Sequence, residues 1–223
     1  VTRQLAFDLP LRTALGREDF FVSATNAQAL AALDGWRDWP RGKMLLIGPP
    51  GSGKTHLAHV WAEMTGAGMA PAATLAGADL AALAALPALV VEDCTDLAHS
   101  PAGQEALFHL HNMLAAHHAP LLLTASSPVR DWGLTLPDLA SRMQAAAITR
   151  LDPPDDALLS AVLIKLFSDR QISVNPALVA YLLPRMERSF DAARALVARL
   201  DAEALARGCA VTRSLAASLL DND

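Results

Sequence analysis

Residues Gly48-Pro49-Pro50-Gly51-Ser52-Gly53-Lys54-Thr55 match the pattern G-x-x-x-x-G-K-[ST] at every fixed position. Glycines at these positions let the backbone turn its N–H groups inward around phosphates, at the positive end of the next helix. Lys54 is expected to oppose the β- and γ-phosphate charge, Thr55 to ligate Mg2+, and His56 to lie beside them in the first helical turn. The ligand implied is ADP or ATP with Mg2+, with no choice between the two nucleotides. Such a loop needs a buried strand before it and a helix after it. Residues 43–47 (Lys-Met-Leu-Leu-Ile) supply the apolar run, and a helical pattern runs from 54 to about 64.

Further apolar runs at 88–91, 120–124 and 146–151 read as strands of the same sheet. Residues 101–117 read as a helix with Ala106, Leu107, Leu110, Met113 and Leu114 on one face. Strands alternating with helices predict an α/β parallel sheet flanked by helices. The alanine-rich stretch 70–88 is periodic enough for a helix. At Asp152-Pro153-Pro154-Asp155-Asp156 the character changes: the prolines end the last strand segment and an aspartate caps a new helix. From there only helical patterns occur, over 157–170, 176–186, 190–207 and 212–220, which predicts a small all-α lid domain. The expected division is an extended peptide at 1–12, the α/β domain at 13–152 and the helical lid at 153–223. Apolar residues at 52% suffice for a full core, and aromatics at only 5% favour closely packed helices over a β-sandwich.

A phosphate loop works with an acid at the end of a neighbouring strand, which holds the metal through its water shell. Leu89-Val90-Val91-Glu92-Asp93 offers two. Only one of two adjacent side chains points at the phosphates. With Asp93 on the metal, the next position is Cys94, whose thiol cannot polarise an attacking water, so binding is tight and hydrolysis poor. With Glu92 on the metal, Asp93 is free for that work. The first register is preferred, and both remain open.

Three segments carry a family resemblance. Phe20-Phe21-Val22-Ser23-Ala24-Thr25-Asn26-Ala27 resembles the segment that wraps the adenine in DnaA-related AAA+ proteins. Leu121-Leu122-Leu123-Thr124-Ala125-Ser126 is similar to their sensor 1 strand, and Leu136-Pro137-Asp138-Leu139-Ala140-Ser141-Arg142 to the box ending in their arginine finger. The resemblance runs from Phe20 to the end. It implies the AAA+ fold, adenine contacts at Phe21 and Val22, and a finger, Arg142, that acts on the nucleotide of a neighbouring subunit. Three positions depart from the pattern. Cys94 stands for a second acid, Ser126 for the sensor 1 aspartate, and Asp191 for the sensor 2 arginine, although Arg194 one turn on could reach the phosphates instead. Gln4-Leu5-Ala6-Phe7-Asp8-Leu9-Pro10 resembles the peptides that dock short regulatory members of the family, and DNA polymerases, on the sliding clamp. Gln4, Leu5, Phe7 and Leu9 would be the anchors. A chain ending at Asp223 leaves no room for the helix-turn-helix domain of the initiator itself. The resemblance therefore implies a regulatory member, with the DnaA initiator and the sliding clamp as partners and self-association through the nucleotide site left open. A self-sufficient ATPase motor or helicase loader, and a DNA-binding initiator fragment, are the rival readings.

The net charge of −5 and pI near 5.8 argue against nucleic acid as the main partner, so no sequence-specific DNA binding is expected. Cys94 and Cys209 have neither metal nor redox spacing, which fits a reducing cytoplasm. The start lacks an apolar signal segment. The longest apolar stretch, around 80–91, is broken by Pro87 and too short to span a bilayer, so no membrane partner is expected. His109, His111, His117 and His118 are too divergent in spacing for a metal and read as a polar helix face. Arg185, Arg188, Arg199 and Arg207 read as a solvated face, and the four tryptophans as packing residues.

Overall fold

The computed structural model describes residues 21–220. The clamp peptide, with Gln4, Leu5, Phe7 and Leu9, lies outside the described residues. Five strands, β1 (Lys43–Ile47), β2 (Gly68–Pro71), β3 (Leu89–Glu92), β4 (Leu121–Ala125) and β5 (Ala147–Arg150), form one sheet in the order β2-β3-β4-β1-β5. Every neighbouring pair is parallel. The helices of this part are α1 (Ala27–Asp34), α2 (Lys54–Thr65), α3 (Leu80–Ala84), α4 (Pro101–Ala116) and α5 (Pro137–Gln144).

The two-residue period of a strand sorts the side chains onto two faces. Leu45, Ile47, Val91 and Leu123 meet Leu107 and Leu110 of α4. Met44, Leu46, Val90 and Leu122 meet Leu57 and Trp61 of α2 and Ala29 and Leu33 of α1. Trp61 is fully buried and stacks on Trp39 at 5.2 Å between ring centroids. A sheet buried on both faces explains why its central strands are continuous apolar runs rather than alternating ones.

Residues beyond 155 form α6 (Asp156–Asp169), α7 (Pro176–Leu182), α8 (Phe190–Arg207) and α9 (Arg213–Leu220). They close a separate core of Leu159, Leu163, Phe167, Leu182, Val197 and Leu200. Asp155 and Ser189 cap α6 and α8, accepting from Leu158 N–H at 2.8 Å and Ala192 N–H at 3.0 Å. Gly208 ends α8 in the left-handed conformation, φ 60°. The lid arginines are mostly held locally: Arg188 to Asp156 at 2.9 Å, Arg207 to Glu203 at 2.6 Å and Arg185 to the Tyr181 carbonyl at 3.0 Å.

Three expectations need correction. The stretch 70–88 is not one helix: it holds the end of β2, a 3-10 turn at Ala72–Gly77 and the five residues of α3. Pro71, Gly77 and Pro87 interrupt it, and β2 occupies the sheet edge, where a proline lacking its N–H is tolerated. Helix α7 stops at Leu182 and tightens into a 3-10 turn through Pro184, which cannot continue the α-helical ladder. His111 does not belong to a polar face. It is 7% exposed, while His109, His117 and His118 are exposed.

Candidate nucleotide site

Strand β1 delivers the chain into the glycine-rich turn, and α2 leaves it with Gly53 at its N-cap. Gly51 and Gly53 take φ values of 68° and 99°, the region that turns successive N–H groups to one side and that side chains disfavour. Space matters as much as φ. A Cβ on Gly48 would fall 2.5 Å from the Leu151 carbonyl oxygen, and one on Gly51 2.5 Å from Cβ of Ser189. Ser52 is buried, and its hydroxyl has no hydrogen-bond partner among the described residues.

Lys54 is 8% exposed and donates to the carbonyls of Gly48 at 2.9 Å and Pro49 at 3.0 Å. Burial lowers its pKa, and the carboxylates of Asp93, Asp191 and Glu92 partly offset that. Thr55 and half-buried His56 come next in the first turn. His59, one turn further, is 2.8 Å through Nδ1 from the Thr55 carbonyl.

Alternation along β3 places Glu92 on the same face as Val90, toward α2, and its carboxylate accepts from Thr55. Burial raises its pKa, and Oε1 is left buried without a partner among the described residues. The preferred register expected Asp93, rather than Glu92, on the metal. Asp93 instead leaves the strand at φ 54°, its N–H donating to Thr124 Oγ1 at 3.0 Å and its exposed carboxylate within electrostatic reach of Lys54. Cys94 points the other way, into the core beneath the sheet. It is fully buried, its Sγ 3.6 Å from the Val91 carbonyl, and burial pushes its thiol pKa far up. A hydroxyl beside a carboxylate with a free buried oxygen is a hard-oxygen pair suited to Mg2+. Among the described residues no group of three or more His, Cys, Asp or Glu side chains could hold a metal alone, so the phosphates would have to complete any coordination shell.

The C-terminal helices reach the loop. Phe190 N–H donates to the Gly51 carbonyl at 2.8 Å, and Asp191 Oδ2 would lie 3.3 Å from a Cβ on Gly51. Arg194 is ion-paired with Asp191, so its guanidinium is engaged by the acid at the sensor 2 position. Phe21 and Val22 are exposed at 42% and 61%. The turn after them is fixed by Asn26, 3% exposed, which donates to the Phe21 carbonyl and accepts from Ser23 N–H, both at 2.8 Å. Ser126 lies 3.2 Å from Thr95, hydroxyl to hydroxyl, just beyond β4.

Arg142 belongs to the other end of the sheet. It lies in the last turn of α5, and Lys43, the first residue of β1, donates to its carbonyl at 3.1 Å. The four residue steps of β1 separate that point from the loop by about 13 Å. The guanidinium lies 4.9 Å from the centre of the Phe108 ring and makes no ion pair among the described residues. Asn26, Ser189, Phe190 and Lys43 are the site-forming residues that motif matching missed. Asn26 and Ser189 had local signals, an Asx-type turn and an N-cap serine ahead of a helix.

No protein-family model matches the chain. Its sequence is similar to the chromosomal replication initiator protein DnaA of Thermus thermophilus, 26% identical over 134 residues, which is 60% of this chain and 31% of the relative. The chain thus spans about a third of the length of the curated relatives it matches. Among solved structures, domain III of Thermotoga maritima DnaA superposes with a TM-score of 0.80 at 18% identity, covering 96% of this chain and 98% of that one. AMPPCP-bound DnaA from Aquifex aeolicus gives 0.69 at 16% identity, covering 82% and 64%. The Thermotoga maritima RuvB branch-migration motor gives 0.71 at 21%, covering 92% and 71%. The chain therefore has the AAA+ P-loop fold in the form found in domain III of DnaA.

Proposed function

We propose that this chain is a nucleotide-binding regulator of replication initiation of the Hda type, the DnaA regulatory inactivator. In this reading the α/β domain at 13–152 and the lid at 153–223 hold ADP or ATP with Mg2+ between them. Lys54, the loop amides and Arg194 face the phosphates, Thr55 and Glu92 the metal, and Phe21 and Val22 the adenine. Gln4, Leu5, Phe7 and Leu9 dock the protein on the sliding clamp in the cytoplasm. Arg142 then reaches the ATP held by DnaA and offsets the charge that spreads over the transferred phosphoryl group.

The observation that carries the reading is the position of Arg142, at the end of the sheet remote from its own loop and without an acid to pair with among the described residues. Such an arginine cannot serve its own nucleotide and is available to another subunit's. The test uses DnaA loaded with labelled ATP, clamp on DNA, and this protein. Wild type should stimulate hydrolysis, and Arg142→Ala should not. Absence of stimulation by wild type would defeat the reading.

One observation favours a second reading, a self-sufficient ATPase. With Glu92 on the metal side, exposed Asp93 stands where it could activate water, so the chemistry is not blocked by Cys94. Turnover by the isolated chain on the order of ten per second would favour this alternative, whereas a regulator with its finger turned away from its own loop should be far slower.

A further inference from the structure

We infer that Lys43 is a positioning residue for Arg142, holding the finger's backbone while driving its guanidinium outward toward an anion supplied by another molecule. The inference rests on the reading of Arg142 as an arginine that acts on a second subunit's nucleotide. The geometry is a three-way junction. Lys43, 3% exposed at the start of β1, lies 2.6 Å through Nζ from His111 Nε2 of α4 and donates to the Arg142 carbonyl of α5 at 3.1 Å. Phe108, also on α4, lies beneath the guanidinium. One ammonium thus joins the strand and both helices that form this end of the sheet, and it does so at the residue whose side chain matters.

The charges around the junction are all of one kind. Arg41 and Arg142 act on Lys43, and Lys43 and Arg142 act on His111, with no carboxylate among the groups that shift either one. An ammonium buried here needs neutral acceptors, and His111 provides one. Its Nε2 accepts from Lys43 while Nδ1–H faces Asn112 Oδ1 at 3.5 Å, an arrangement that requires the uncharged ring. Burial and the Lys43 charge take the His111 pKa down to about 4, and burial takes Lys43 to about 8. Near neutral pH the junction is therefore one ammonium on a neutral imidazole. That ammonium cannot bond to the guanidinium and repels it. The carbonyl is fixed and the side chain is kept from folding back, which is the pre-organisation a group needs if it is to meet a partner's phosphate without rearranging.

The experiment combines a double-mutant cycle with a spectroscopic measurement on the full chain. Lys43→Met keeps an unbranched apolar stem, one atom shorter, and removes charge and donor. In the DnaA stimulation assay it should lower the maximal rate about tenfold, as misplacement of a reacting group by a fraction of an ångström does, with the half-saturating concentration unchanged. In the Arg142→Ala background it should change nothing further. An equal loss in both backgrounds would overturn the inference, because Lys43 would then act apart from Arg142. Independently of any stimulation, the Nε–H resonance of Arg142, identified by its absence in Arg142→Ala, should shift or broaden in Lys43→Met, while that of Arg207 stays in place. An unmoved Arg142 resonance would overturn the inference even if the finger itself is real. Stimulation that survives Arg142→Ala, together with a moved resonance, would keep the junction and remove the function assigned to it.

Discussion

At the end of β1 that meets the loop, Lys54 is surrounded by Asp93, Asp191 and Glu92 and bonded to two loop carbonyls. At the beginning of the same strand, Lys43 meets, among the described residues, the charges of Arg41 and Arg142, the Arg142 carbonyl and a neutral imidazole. Both lysines are buried and both have lowered pKa values, with burial the largest cause in each case. The difference lies in what completes them. The first cation is compensated from within the fold, so a polyphosphate entering there must compete with carbonyls and carboxylates already in place. Among the described residues the second has no counter-charge, and neither has the arginine beside it, so no described carboxylate compensates this end of the strand. One strand thus separates a cation compensated by described carboxylates from one that is not.

The sharpest way to break this division is to exchange the phenotypes. Arg142→Ala should cost on the order of a thousandfold in stimulated hydrolysis by DnaA, yet leave ADP and ATP affinity of this chain, read by calorimetry, unchanged. The next largest effect belongs to Lys54→Ala. Losing two or more charge-assisted bonds to phosphate should weaken nucleotide binding at least about a hundredfold. Because Lys54 is desolvated in the free protein, its melting temperature without nucleotide should not fall. A mutant that binds as tightly as wild type would show that the loop has another ligand.

Gly51→Ala probes the contact between loop and lid rather than either charge. Its φ of 68° and the 2.5 Å approach of a Cβ to Ser189 Cβ predict a loss of about 1–3 kcal/mol in denaturant unfolding. Stability equal to wild type would mean that Ser189 and the loop separate freely.

The last effect is the dependence of stability on pH, small at any one pH step, and it belongs to the end of the strand at Lys43. His111 has a folded pKa near 4, below the unfolded 6.5. The unfolded chain therefore binds the extra proton in that window, and stability is full above 6.5 and lost as pH falls toward 4. Lys43, lowered from 10.5 to about 8, makes stability rise as pH goes from 8 to 10.5. Each slope is at most about 1.4 kcal/mol per pH unit. His111→Gln should flatten the acid window and Lys43→Met the alkaline one. Profiles indistinguishable from wild type would remove the basis of the comparison.

The parts of the molecule governed by local rules were readable from the sequence. The loop is a contiguous motif. The central strands are apolar runs whose bounds differ from the expected ones by at most one residue, and Asp155, Ser189 and Gly208 mark helix ends by their own chemistry. Strand β2 was missed because Gly-Met-Ala-Pro has almost no strand signal of its own and forms only against β3. The side of the sheet on which Glu92 lies follows from strand parity, which becomes visible only when Val90 is seen on the α2 face. The junction at Lys43 was invisible for another reason. Its members are 68 and 99 residues from it in the chain, and nothing local distinguishes a lysine that caps a strand from one that enters the core.

The backbone bond from Phe190 to Gly51 has a meaning for time as well as for place. A first-turn amide has no carbonyl within its own helix to bond to. Its shelter from solvent deuterium therefore depends on the helix staying against the loop, and every separation exposes it. Exchange at that one amide counts those separations. It would register how often the phosphate cradle is uncovered, in molecules that carry no label and perform no reaction.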